Sequence, residues 1–408
     1  MEITKEFFNL LLDFGDEWEI TNIEADHKKE EIYLEIEYTS DYYEDPLDYS
    51  QAKLYDHTSV REFRHLDIMH YKSFVRCKIP RVTCFDGTVK QIRMGWSAQY
   101  ARHTYRFEER VIDLLKATKN QSTTAEFLNC SFRLVNRILH HCCKRGMERR
   151  DISKFTIEHI SIDEKAFKKG HKYVTVLSHP TTGVVLDVGE DRDSESVKHL
   201  VCSAFTEKQR LNMKTVSMDM WKAFIKVSKS MLPNAEVIHD KFHLIAYLNK
   251  SMDQVRRREV KKEADLRNSR FVLLKNERNM TEKQKEKMEF IRASNFEVSK
   301  VWNIRENFKS LFDYTHNEQE AKIFLVDWAN RSYMKNIKEV NKVILMFLRH
   351  VRGVVNALTC DLNNAMAERL NGKIQEVKLI GRGYRTFANF RSAILFFHGG
   401  LNLYPLRW

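Results

Sequence analysis

The chain has 408 residues, 43% of them hydrophobic and 30% charged, with only 13 Gly and 5 Pro. That composition describes a folded, helix-rich protein of about two or three domains and excludes a disordered or collagen-like chain. Lys and Arg number 68 against 56 Asp and Glu, a formal net charge of +12 that favours a polyanionic partner. Seven Cys form no paired framework, and the first residues do not read as a signal peptide, so a reduced cytoplasmic setting is expected. No apolar run approaches the roughly 20 residues that span a bilayer.

Residues 1 to about 60 are acidic and aromatic; I-Y-L-E-I-E-Y alternates as a strand does, and Asp41 to Asp48 reads as a loop. Arg61 to Met94 turns basic, with strand and turn character as far as Asp86-Gly87. Cys77 and Cys84 lie there. Tetrahedral zinc needs four ligands and no tight C-x-x-C or H-x-H partner accompanies them, so two small buried thiols are the expectation. From Tyr105 to Arg150 the period becomes helical, with Phe107, Val111, Leu114 and Leu115 on one apolar face. A polar break at Asn120-Gln121-Ser122, then T-T-A-E-F-L, then Asn129-Cys130-Ser131 before F-R-L-V-N-R-I-L-H-H, predict a helix-turn-helix with Ser122 and Ser131 as N-caps. Arg133, Asn136 and Arg137 would then face a DNA major groove; the alternative is a plain helical hairpin burying Leu134, Ile138 and Leu139.

From Phe155 to His243 three short apolar runs, I-S-I-D, Y-V-T-V-L and V-V-L-D-V, read as consecutive antiparallel strands, the second break being a turn at Pro180-Thr181-Thr182-Gly183. A helix from Ser194 to Phe205, a strand T-V-S-M-D, a helix from Trp221 to Met231, a strand A-E-V-I-H-D and a long helix from Phe242 follow. Strands alternating with helices predict a mixed sheet covered by helices, and ligand groups in such sheets gather where strand ends meet. Asp163 lies in the first strand, and Asp219 and Asp240 lie at the ends of the fourth and fifth. Residues from about Asn249 to Leu358 read as almost entirely helical, with Trp302 and Trp328 as core and Arg256, Arg257, Arg258, Lys261 and Lys262 as a solvated charged face by default, or else a track for a phosphate backbone. A helix from about Asn363 carries Glu368, a basic loop spans Lys378 to Arg385, and a Phe-rich helix closes the chain.

The order I-S-I-D-E, S-M-D-M-W, H-D-K-F-H, L-N-N-A-M-A-E-R-L-N-G-K-I and G-R-G-Y-R-T-F-A-N-F-R resembles the DDE transposases of bacterial insertion sequences, and more narrowly the ISL-three family. The likeness runs from about Arg61 to the C-terminus. It implies an α/β (mixed) multidomain protein: a degenerate zinc-finger-like module over residues 1–100, a helix-turn-helix over 101–152, an RNase H-like catalytic domain over 153–248 and 359–408, and an all-α insertion over 249–358. It also implies Asp163, Asp219 and Glu368 as catalytic metal ligands, with Asp219 lying 56 positions after Asp163 and Glu368 149 positions after Asp219. Family members carry paired zinc-ligand cysteines before R-H-L-D; Tyr42 to His57 contains none here, which argues against zinc in this chain.

The implied chemistry is hydrolysis at a transposon end followed by attack of the freed 3′ hydroxyl on target DNA, with two Mg²⁺ or Mn²⁺ ions about 4 Å apart. Asp240 and His243 would support that site, or simply cap and begin a helix. Arg382, Tyr384 and Arg385 are further DNA-contact expectations. Double-stranded DNA is the implied partner, bound by a homodimer or higher oligomer in association with the bacterial nucleoid. Two other readings stay open: a DNA-binding regulator or domesticated protein with an idle catalytic domain, and an RNase H-like nuclease or resolvase that cuts without joining.

Overall fold

The structure is a computed structural model that describes residues 2–12, 14–151, 155–168, 172–275, 279–315, 317–360 and 365–406; of residues 2–5, 365, 367 and 368 only the backbone is described. The chain divides into two compact units, Met1–Arg150 with Ile380–Arg382 and Leu401–Trp408, and Asp151–Leu379 with Gly383–Gly400.

The first unit opens with α1 (Glu2–Leu12), β1 (Trp18–Asp26), β2 (Glu31–Tyr38), β3 (Lys53–His57), β4 (Arg61–Arg64), β5 (Lys72–Cys77), β6 (Pro80–Thr83) and β7 (Val89–Gln91). These make a four-stranded sheet, β1-β2-β5-β4, and a three-stranded sheet, β3-β6-β7. Leu34 and Ile36 of β2, at the expected two-residue alternation, bury against Trp18, Phe63 and Trp96 in one core. Three helices follow: α2 (Tyr105–Thr118), α3 (Gln121–Phe127) and α4 (Phe132–Arg149). Ser131 caps α4 through Leu134 N, as its position predicts. The cap of α3 is Asn120, not Ser122: the Asn120 side chain accepts from the backbone of Ser122 and Thr123, and Ser122 lies inside the first turn. Val135, Ile138 and Leu139 of α4 are buried, while Leu134 is only partly so.

The second unit contains β8 (His159–Lys168), β9 (Lys172–Ser178), β10 (Val185–Glu190), α5 (Ser194–Ala204), α6 (Glu207–Asn212), β11 (Thr215–Met218), α7 (Lys222–Met231), β12 (Glu236–His239) and α8 (Lys241–Glu259). The sheet order is β10-β9-β8-β11-β12, antiparallel among the first three and parallel from β8 through β11 to β12. Asp193 rather than Ser194 caps α5, accepting from Glu195 N and Ser196 N. The short α6, which periodicity did not predict, is started by a capping box between Thr206 and Gln209.

Six helices carry the chain onward: α9 (Arg270–Leu274), α10 (Glu282–Ala293), α11 (Glu297–Tyr314), α12 (Glu318–Tyr333), α13 (Lys338–Arg349) and α14 (Val351–Thr359). Apolar positions three and four apart, such as Val340, Val343, Ile344 and Phe347, build their common core with α8. Trp328 is buried there, its indole N–H donating to Ile304 O at 2.9 Å. The last helices are α15 (Ala365–Ile380) and α16 (Phe387–His398). Among the described residues no helix is long and apolar enough to cross a membrane.

Candidate active site

Register creates this site. Ile162 of β8 pairs with Met218 of β11, and Met218 pairs with His239 of β12. The next residue in each case is an acid, so Asp163, partway along β8, stands abreast of Asp219 and Asp240, which directly follow β11 and β12, neighbours being about 4.8 Å apart in the sheet direction. Asp163 and Asp219 share a local geometry: Oδ1 of each accepts the amide of the following residue, Glu164 at 2.7 Å and Met220 at 2.6 Å.

Helix α8 rises directly from this edge. Asp240 is its N-cap, accepting Phe242 N at 2.6 Å, and so fixes where the first turn points. That turn sets His243 between the two other acids, with Nε2 3.7 Å from Asp163 Oδ1 and Nδ1 3.7 Å from Asp219 Oδ2. One turn later, on the same face, the Tyr247 hydroxyl donates to both Asp219 oxygens at 3.0 and 3.2 Å. Lys165, two positions beyond Asp163 on β8 and hence on the same face, places Nζ 2.7 Å from Asp163 Oδ2.

The electrostatics follow from burial, the Asp163 and Asp219 side chains each being 14% exposed. Burial would push the Asp163 carboxyl up, but the neighbouring His243 imidazole and the Lys165 ammonium outweigh it and hold the group well below the usual carboxylate range. Burial likewise opposes charge on His243, yet the adjoining Asp163 carboxylate and the charges of Asp219 and Asp240 raise its pKa above the ordinary 6.5. Asp240 is raised, chiefly by burial and with Asp163 adding to it. Two carboxylates thus meet an imidazole and an ammonium in one small volume, a donor set of oxygens already arranged around positive charge. Such oxygens suit a hard divalent cation. Among the described residues no group of three or more Asp, Glu, His or Cys side chains is poised to hold a metal ion. Glu368 lies on α15, and its carboxylate falls outside what is described.

The other predicted positions are distributed as follows. Arg133 and Arg137 are exposed along α4, while the half-buried Asn136 donates to Gln121 Oε1 at 2.9 Å and ties α4 to α3. Arg382 and Arg385 are exposed in the loop after α15, where Arg382 and Gly383 take φ of 49° and 88° and Gly383 N closes the helix on Lys378 O at 2.9 Å. Tyr384 points inward: its ring packs 5.2 Å from that of Phe390, and burial pushes its phenol up to about 12. The half-buried ring props the loop. Arg256 and Arg257 pair with Asp253 at 2.7 and 2.8 Å, and Arg258 with Glu339 at 3.1 Å.

Zinc does not fit the N-terminal sheets. Cys77 is in the hydrophobic core, its thiol pushed up to about 12 by burial, which disfavours the thiolate that zinc binds. Cys84 is raised by burial and by a hydrogen bond to Asp45. That carboxylate also accepts Leu47 N at 2.8 Å and Phe85 N at 2.6 Å, so it joins the turn at 45–49 to the turn at 84–88 without a metal.

Tyr247, Lys165 and the Glu164–Arg192 pair were not singled out by the sequence reading, although two signals were there. Lys165 has the strand period from Asp163, and Tyr247 the helix period from His243.

Residues 160–394 match a transposase family of the DDE type, and residues 93–143 match the helix-turn-helix domain of transposase family ISL3. The transposase for insertion sequence element IS1001 of Bordetella parapertussis is 26% identical over 343 residues, covering 80% of this chain and 82% of that protein. The transposase for insertion sequence element IS1557 of Mycobacterium tuberculosis is 24% identical over 367 residues, covering 82% and 81%. The first family match spans all but the first residue of the five-stranded sheet, Asp163, Asp219, Asp240 and Glu368, and the second spans α2, α3 and most of α4. The chain belongs to the ISL3 family of DDE transposases.

Proposed function

We propose that the chain binds the terminal inverted repeats of its own insertion sequence, hydrolyses a phosphodiester at each end, and joins the freed 3′ hydroxyl to target DNA. The observation that carries this is the in-register placement of Asp163 and Asp219 on adjacent parallel strands beneath a single imidazole. The strand order β10-β9-β8-β11-β12, with its antiparallel half and its parallel half, supports an RNase H-like domain for residues 153–248 and 359–408. Helices α9 to α14 would form its insertion over 249–358, residues 101–152 the helix-turn-helix, and residues 1–100 a metal-free module that helps read the ends.

Asp163, Asp219 and Glu368 would hold two Mg²⁺ or Mn²⁺ ions, which when bound neutralise charge developing on the attacking and departing oxygens. The chain's own residues prepare that chemistry. Tyr247 hydrogen-bonds Asp219, His243 lies between the two aspartates, and Asp240 caps the helix that carries both. Lys165 shares Asp163 and must yield part of its contact when a cation enters. Arg133 and Arg137 are free to meet phosphates or base edges, and Arg382 and Arg385 to meet phosphates. Two ends must be handled together, which favours a dimer or higher oligomer on DNA within the cell's nucleoid.

A duplex carrying the element's terminal repeat tests the reading. Wild-type protein should cut it in Mg²⁺ or Mn²⁺ and form a strand-transfer product, which a simple nuclease would not. Asp219→Asn should bind and not cut; cutting at the wild-type rate would overturn the assignment.

A further inference from the structure

We propose that Trp221, braced by Arg192, is the surface on which a DNA base beside the scissile phosphate stacks. The inference rests on the transposase reading above and adds a substrate contact to it. Trp221 follows Asp219 by two residues, so their Cα atoms are within about 7 Å. Glu164 directly follows Asp163. Between these two neighbours of the acids sits Arg192, from the loop after β10, with Nη1 2.6 Å from Glu164 Oε2.

Its guanidinium lies 3.8 Å from the Tyr173 ring centroid and 4.3 Å from that of Trp221. The indole edge is fixed as well, since Trp221 Nε1 donates to Arg192 O at 3.1 Å. The result is a stack of Tyr173, Arg192 and Trp221 pinned to β8 by a carboxylate. Ring position and tilt are therefore set before any ligand arrives, and little rotamer freedom is left to lose on binding.

Packing alone does not account for this ring. Trp18, Trp96 and Trp328 are buried, whereas Trp221 keeps 39% of its surface exposed and is the only exposed tryptophan among the described residues. An aromatic ring braced by Arg192 on one side and still 39% exposed, beside a site for polyanion chemistry, is suited to a nucleobase, since every base has a π-face. The Glu164 carboxylate offsets the Arg192 charge, which makes Arg192 a brace for the ring more than a phosphate ligand. Trp221 is thus a substrate-contacting residue, and Arg192 and Glu164 are positioning residues.

Single-turnover cutting of the terminal-repeat duplex in Mn²⁺ tests this with full-length Trp221→Ala and Trp221→Phe, after thermal melts show both folded. Trp221→Ala should slow cutting by about 5- to 150-fold, and Trp221→Phe, which retains a π-face but not the indole N–H, should restore most of the rate. A single abasic position is then walked through the nucleotides flanking the scissile phosphate. At one position the difference between wild type and Trp221→Ala should vanish, because the stacking partner is gone. The same comparison by equilibrium binding in the Asp219→Asn background separates this inference from the cutting reaction: a failure of cutting in all proteins would sink the transposase reading, not the stack. Equal cutting and binding by wild type and Trp221→Ala, a penalty that persists at every abasic position, or a Trp221→Phe defect as deep as that of Ala would overturn the proposal.

Discussion

Gly353→Ala probes the packing that aims helix α8. A Cβ at residue 353 on α14 would lie 2.6 Å from Cδ2 and 2.7 Å from Nε2 of His239, the last residue of β12. Those separations are well inside the roughly 3.5 Å at which carbon atoms first attract. The ring cannot simply swing aside: it is buried, its Nδ1 faces Met218 O at 3.4 Å, and His350 packs against it at 5.7 Å. Overpacking of this kind costs about 1–3 kcal/mol, and the gain in helix propensity returns at most about 1 kcal/mol, so a net loss of about 1–2 kcal/mol is expected. Any relief by movement of β12 shifts Asp240 and, through its cap, the His243 and Tyr247 side chains on α8. Cutting should therefore fall along with stability.

Urea unfolding followed by circular dichroism measures the first effect, and terminal-repeat cleavage the second. The decisive comparison is the double variant His239→Ala/Gly353→Ala, in which the methyl finds space. It should lose less than the sum of the single losses by more than about 0.5 kcal/mol. Additive losses, or a Gly353→Ala protein as stable as wild type, would refute the packing account.

Further outcomes follow from other parts of the molecule. Burial holds His239 at about 4 against the ordinary 6.5, so protons bind first to the unfolded chain; stability is full above pH 6.5 and declines as pH falls toward 4. At pH 5 this term is about 2 kcal/mol, and the drop in stability from pH 7 to pH 5 should be smaller in His239→Gln by that amount. An identical drop in both proteins would contradict it. Arg137→Ala should weaken DNA binding and, where the guanidinium meets a phosphate, reduce the salt slope by about one. An unchanged affinity and slope would remove Arg137 from the interface. Purified protein should contain no stoichiometric zinc, and a chelator should leave its melting unchanged; a chelator-sensitive transition would overturn the account of Asp45 and Cys84.

Much of the catalytic sheet was legible because each strand is a short apolar run closed by polar or turn residues. Periodicity also located the helical stretches after residue 249, whose core positions recur every three or four residues. Helix starts were less legible. Asn120 displaced Ser122 and Asp193 displaced Ser194, since neighbouring residues with similar capping chemistry compete and only backbone geometry chooses between them. The N-terminal region read as strand and turn in places, but its two sheets were not legible, because cross-strand pairing there joins β2 to β5 over a long separation.

What the sequence by itself determined was the family, the presence of acids at the ends of apolar runs, and the basic charge suited to DNA. Those properties are local, written in residue type and spacing. Only the tertiary structure decided that Ile162, Met218 and His239 lie in register and so bring Asp163, Asp219 and Asp240 abreast. It alone placed Tyr247 on Asp219 and stacked Arg192 between Tyr173 and Trp221. Strand register and side-chain stacking arise from contacts between distant segments, and no local pattern encodes which partner each segment will meet.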